Sequence, residues 1–196
     1  MKMRNAEFNR EAVLRSAMTA FMHKGYAKTS MQDLSRATGL HPGSIYCAFE
    51  NKRGLLLAAL EQYNQDRTTE FQGFFDGSQP VLAALKNYLN NIVSECLSCD
   101  TAKACLLTKA LNETAGQDDE IRHSISASLT DWQNALGALF EQAKESGALK
   151  TNRDSAHLAR YFVMGIYGLR TFAHTHPQPE VLQQLADQLY QDICAC

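Results

Sequence analysis

Apolar residues recur along this chain at intervals of three and four, separated by charged and amide side chains. This is the spacing of helices that each bury one face. No run alternates in the manner of a strand, so the expected fold is all-α with about nine helices. The first spans Arg10 to Lys24, with Val13, Leu14, Ala17, Met18 and Phe21 on one face and Gly25 as its stop. The second starts at a Ser30 cap, buries Met31, Leu34 and Ala37, and ends at Gly39. A short third helix runs from about Pro42 to Phe49, with proline in the first turn where its missing N–H costs nothing. Asn51 caps a long fourth helix reaching about Phe75.

After a break at Gly77, Ser78 and Pro80, a fifth helix carries Val81, Leu85, Leu89, Ile92 and Cys96. A short sixth is expected over about Ala104 to Ala115, and a long seventh from Asp118 to about Ser146. An eighth begins after Asn152, and a ninth comes after the break at His176-Pro-Gln-Pro179 and runs to the end. The expected organisation is a three-helix module over residues 1–53 and a larger helical domain over 54–196.

Ser30 to Arg53 has the layout of a helix-turn-helix. Small Ser35 and Ala37 let two helices approach, Gly39 permits the sharp turn, and Leu40 and Ile45 fill the angle between them. Any short helical hairpin needs such residues. A more specific pattern lies at its C-terminal end: Ile45-Tyr46-Cys-Ala-Phe49, then Asn51-Lys52, resembles the signature of the TetR family of regulators. Phe21, Gly25, Tyr26, Thr29, Ser30 and Asp33-Leu34 stand where that family has aromatic, glycine, capping and helix-two residues. The resemblance is strong over about Arg10 to Leu60; beyond that it rests on helix count, length and order.

It implies an operator-binding module whose DNA-contacting set is Thr29, Ser30, Gln32, His41, Pro42, Gly43, Ser44, Tyr46, Cys47 and Lys52. Ser44 and Tyr46 would donate to phosphates, and Lys52 would pair with another at a positive helix end. Lys2 and Arg4 would form a basic arm, and Phe49 would belong to the core. Many relatives have a basic residue where Pro42 stands and a basic or aromatic pair at Cys47-Ala48. Direct base readout is therefore expected to be modest, with more weight on duplex shape.

Charge sharpens this picture. Residues 1–53 hold nine Lys/Arg against four Asp/Glu, a net +5, while the remainder holds ten against seventeen, a net −7. Only the N-terminal part is suited to meet a polyanion. No stretch is long and apolar enough to span a bilayer, and Met1 to Arg10 lacks the apolar stretch of a secretory signal, so the expected location is the cytoplasm.

One short helix reads few base pairs, so the resemblance implies a homodimer on a palindromic operator, with half-sites roughly 34–36 Å apart. Its interface is expected on Phe162, Gly165, Leu169, Phe172, Leu182, Leu185, Leu189 and Ile193, with Gly165 and Gly168 allowing close approach across the dimer. A small-molecule effector is expected among the fourth to eighth helices. Its candidate lining is Phe71, Phe75, Tyr88, Cys105, Leu107, Asn112, Trp132, Phe162 and Tyr167.

The six cysteines are expected as thiols. Cys96-Leu-Ser-Cys99 has no second pair or histidine cluster to complete a metal site, and no cofactor is expected. Cys105 stands at a helix start beside Lys103, a setting that favours thiolate. The segment from Cys105 to Asn112-Glu113 is similar to a TetR branch that includes N-ethylmaleimide-responsive repressors. That implies an electrophilic or oxidising effector for some members. Paired carboxylates, a Ser/His/Asp group and a phosphate loop are absent from the sequence, which argues against an enzyme. A helical adaptor binding only protein is the other alternative; it leaves the charge bias and the Tyr46/Lys52 pattern without a purpose.

Overall fold

The computed structural model describes residues 8–98, 105–114 and 116–194. The suggested basic arm (Lys2, Arg4), Cys99, Lys103, Cys196 and the outermost residues of the expected sixth helix (Ala104, Ala115) lie outside them. The described residues form nine α-helices and no strand: α1 Arg10–Lys24, α2 Met31–Thr38, α3 Pro42–Phe49, α4 Lys52–Phe74, α5 Val81–Ser98, α6 Leu106–Thr114, α7 Asp119–Glu145, α8 Ser155–Phe172 and α9 Pro179–Cys194. None is long and apolar enough to cross a membrane.

The chain divides into two compact units. One holds the described residues up to Asp66 together with Leu106–Arg122; the other holds those of Arg67–Cys105 and His123–Cys196. The expected break after Arg53 thus falls inside α4, and α6 belongs to the first unit.

In the first unit, the five apolar positions read from α1 are its buried residues. They join Leu34, Ile45, Phe49, Leu55, Leu56, Ala59 and Leu60 in the interior. Each large side chain so removed from water contributes roughly 1.5–3 kcal/mol. Capping fixes the helix starts. Asn9 accepts from the Ala12 amide at 3.0 Å. Ser30 and Asp33 form a reciprocal capping box on α2. Asn51 accepts from the Gly54 amide at 2.9 Å at the start of α4. Two expectations for α2 are corrected: Ala37 is exposed and Met31 only half-buried, leaving Leu34 as the buried anchor.

In the second unit, α5, α8 and α9 pack on one another. The core includes Leu85, Leu89, Ile92, Leu136, Phe140, Leu158, Phe162, Ile166, Leu182 and Ile193. Asp154 caps α8 by accepting from the His157 amide at 2.9 Å. Gly165 is required by a close approach within the chain: a Cβ there would lie 2.3 Å from the Leu189 side chain.

Candidate nucleic-acid interface

The module that could meet DNA is built from its turns outward. Gly39 ends α2 in the left-handed region at φ 71°, and Ser35 Oγ donates to the Leu40 carbonyl at 2.6 Å, closing the turn. His41 Nδ1 accepts from the Gly43 amide at 3.3 Å, and Pro42 opens α3. With Ile45 and Phe49 buried, the opposite face of α3 is turned outward. Gly43, Tyr46 and Cys47 are exposed there, Tyr46 at 49%, and His41 is exposed just ahead of them. Pro42 and Ser44 are half-buried at the same end. On α2, Gln32 and Arg36 are both exposed and four residues apart, hence on one face. Arg36 was not singled out from the sequence, although its spacing from Gln32 was there to read.

Three of the expected contact residues have partners within the chain. Thr29 is buried, and its hydroxyl donates to the Gly25 carbonyl at 2.6 Å, so its side chain secures the α1–α2 turn. Ser30 is exposed but bonded into the α2 cap. Lys52 Nζ donates to the carbonyls of Tyr26 at 2.9 Å, Ala27 at 3.4 Å and Thr29 at 3.0 Å, and lies 4.5 Å from the centroid of the Tyr26 ring. An ammonium has three donors, and here all three hold the α1–α2 turn.

The same turn is pinned from the other side by α6, a feature that periodicity could not disclose. Lys109 Nζ donates to the Met22 carbonyl, and the Glu113 carboxylate accepts from the Ala27 amide at 3.0 Å. Arg53 makes a two-point contact with Asp118, at 2.5 and 2.9 Å, and also meets Glu120. Its guanidinium, with the Ile121 amide, holds the Asp118 carboxyl down at about 2. Lys24 likewise holds Asp33 well below the usual carboxylate range, aided by Ser30. Lys24, Lys52, Arg53 and Lys109 are thus engaged by carbonyls and carboxylates of their own unit.

The expected effector-lining residues divide between the two units. Leu107 and Asn112 are on α6 in the first unit, and Asn112 is exposed. The other seven are in the second. There Phe71 meets Phe75 at 4.7 Å and Tyr88 edge-on at 5.3 Å, and Phe162 packs on Phe140 at 6.1 Å. Beside Tyr88, Glu95 accepts from Arg67 at 2.8 and 3.0 Å and from Arg170. Burial works to raise the Glu95 carboxyl, but the two guanidiniums outweigh it and hold it below its ordinary value. Among the described residues, no group of acidic, histidine and cysteine side chains could hold a metal ion.

The expected dimer stripe is largely interior. Phe162, Leu169, Leu182, Leu189 and Ile193 are buried within their own chain, because α8 and α9 spend those faces on α5 and each other. Leu185 is 42% exposed and Phe172 half-buried. Met164, at 60% exposure, was not anticipated; it stands on the outer face of α8 with exposed Gly168.

Comparison with known proteins agrees with this architecture. The family described as "Bacterial regulatory proteins, tetR family" matches residues 13–59, and "Tetracyclin repressor-like, C-terminal domain" matches residues 81–189. The HTH-type transcriptional repressor ComR of Escherichia coli (strain K12) is 28% identical over 180 residues, covering 91% of this chain and 86% of that protein. A CifR cysteine mutant complexed with a 26-bp operator duplex superposes with a TM-score of 0.83 at 23% identity, covering 94% of this chain and 96% of that one. The reduced form of E. coli NemR superposes at 0.84, with 17% identity and coverage of 95% and 97%. At such identities the structural likeness is one of fold and assigns no branch. The two matched families cover both units and describe DNA-binding regulators rather than enzymes: the chain belongs to the TetR family of transcriptional regulators.

Proposed function

We propose that this regulator is a repressor that binds a palindromic operator as a homodimer in the cytoplasm and is released by a small-molecule effector. The observation that carries the reading is the outward polar face of α2 and α3. Gln32, Arg36, His41, Tyr46 and Cys47 are exposed on a framework locked from behind by Lys52, Lys109 and Glu113. Such a face suits contact with base edges and phosphates in a major groove.

The outer face of α8 and α9 supports the dimer. Met164 and Leu185 are large apolar side chains left exposed, and a Cβ at Gly168 would meet nothing within 4 Å. A glycine inside a helix costs about 1 kcal/mol relative to alanine, a cost offset if a second helix packs closely there. The name of ComR, a repressor, favours repression. Effector release is then a population shift: the ligand stabilises a state whose paired recognition helices no longer fit two half-sites. If the effector is an electrophile or oxidant, half-buried Cys105 is its target. In that case Cys105→Ser stays on DNA after a treatment that frees the wild type.

An electrophoretic titration with duplexes from the chain's own locus tests the core of the reading. The expected result is salt-sensitive binding to a palindromic segment by two chains. A monomer that ignores every such duplex at low ionic strength overturns it.

A further inference from the structure

The second unit contains a buried donor that finds no acceptor among the described residues. Trp132, on α7, buries its indole Nε1 without a hydrogen-bond partner there. An unsatisfied buried donor costs about 1–3 kcal/mol and is rare enough in folded proteins to require a reason. Tyr167, on α8, lies beside it, with ring centroids 6.2 Å apart and planes inclined by 49°. Burial, and then the neighbouring Cys105 thiol, push the Tyr167 phenol up to about 12, so it stays protonated at neutral pH. Two side chains able to donate therefore lie side by side. Indole N–H can only donate.

We infer that Trp132 Nε1 and the Tyr167 hydroxyl are the recognition point for a neutral, largely apolar effector carrying a carbonyl or ether oxygen. The inference rests on the reading of this unit as a sensor and adds the chemistry of what it senses. An oxygen acceptor is specified because it satisfies the orphaned indole at no cost in new unpaired groups. Neutrality is specified because a buried ligand charge needs an opposite charge. The charged side chains of this unit's interior already answer one another, Arg67 and Arg170 on Glu95, and Arg67 on Glu70. Cys105 is the titratable group acting on the Tyr167 phenol. A site built around a donor rejects an isostere that lacks the acceptor far better than a purely apolar pocket does.

Trp132 is the single tryptophan of the chain, so the indole N–H gives one resolved amide-type signal in a 15N-labelled sample. Matched probes isolate the acceptor: cyclohexanone against methylenecyclohexane, and acetophenone against α-methylstyrene, each pair alike in shape. The expected result is that a ketone moves the indole proton downfield while its olefin at equal concentration moves it little. Calorimetry should find that ketone about tenfold weaker on Tyr167→Phe, and the preference over the olefin lost on Trp132→Phe. If no ketone moves the indole signal, or ketone and olefin move it alike, the inference is overturned. Operator binding, followed by anisotropy in the same samples, separates the two readings. A ketone that shifts the indole without releasing DNA sinks the sensor function and keeps the site. Release of DNA with the indole signal unmoved keeps the sensor and sinks the site.

Discussion

Glu113 occupies the space a side chain at position 25 would need. A Cβ on Gly25 would lie 2.4 Å from Glu113 Oε1, and the same carboxylate accepts from the Ala27 amide at 3.0 Å. Gly25 also has φ +80°, a conformation side chains resist. Gly25→Ala therefore carries two separable penalties. We expect it to cost about 1–3 kcal/mol from the backbone, with a further loss from displacing Glu113. On a Glu113→Ala background, which has already lost the Ala27 contact, Gly25→Ala should cost only the first part, as read by calorimetric melting of the single and double variants.

Lys52 faces the α1–α2 turn, and this separates it from an ordinary phosphate contact. Lys52→Met keeps the stem and deletes the three donors. It should lower stability by about 1–3 kcal/mol through unpaired carbonyls. It should also weaken operator binding while leaving the slope of log affinity against log salt as in the wild type. A slope reduced by about one would assign Lys52 to a phosphate instead.

Tyr46 stands on the outer face of α3 with half its surface in solvent. Tyr46→Phe should weaken binding to operators and to altered half-sites by the same factor, because a phosphate contact carries affinity rather than sequence information. Melting should be unchanged. A loss confined to one operator sequence would make Tyr46 a reader of bases.

The proposed dimer makes a contrast between exposed and buried positions of α8 and α9. Met164→Glu should yield a folded monomer in sedimentation. Leu182→Ala, in the core, should instead cost about 2–5 kcal/mol of stability. If Met164→Glu remains a dimer at low micromolar concentration, the subunits meet elsewhere.

The Asp118 carboxyl has a folded value of about 2 against 3.8 for an ordinary aspartate, owing first to Arg53. A depressed carboxylate stabilises the fold above its unfolded value, and that contribution is lost as pH falls through the folded one. The gap in melting temperature between wild type and Asp118→Asn should be full at about pH 5 and close towards about pH 2. A gap that stays constant across this window would mean that the Arg53 contact contributes nothing.

Much of the first unit was legible in the sequence because its signals are local. The α1 core repeats at helical spacing, and α3 is bracketed by Gly39, Pro42 and Asn51. The inward turn of Lys52 and the burial of Thr29 were not legible. A lysine opening a helix has the same sequence whether it meets a phosphate or a carbonyl more than twenty residues away. The apolar stripes of α8 and α9 were read correctly as stripes, but such a pattern does not say whether its partner is the same chain or another copy. Within the chain, Leu189 packs on Gly165. Glu113 and Ala27 lie 86 positions apart and obey no period.

Leu106–Arg122 belongs with the N-terminal helices, so the DNA-binding head is discontinuous in the chain. A chimera made with one crossover after residue 53 would give the head a foreign α6, with no Lys109 on Met22 and no Glu113 on Ala27. Grafting this head onto another C-terminal domain therefore calls for two cuts that carry the later segment along. By the same reasoning, shuffling of heads and sensors by simple gene fusion should be penalised unless the pinning residues travel too.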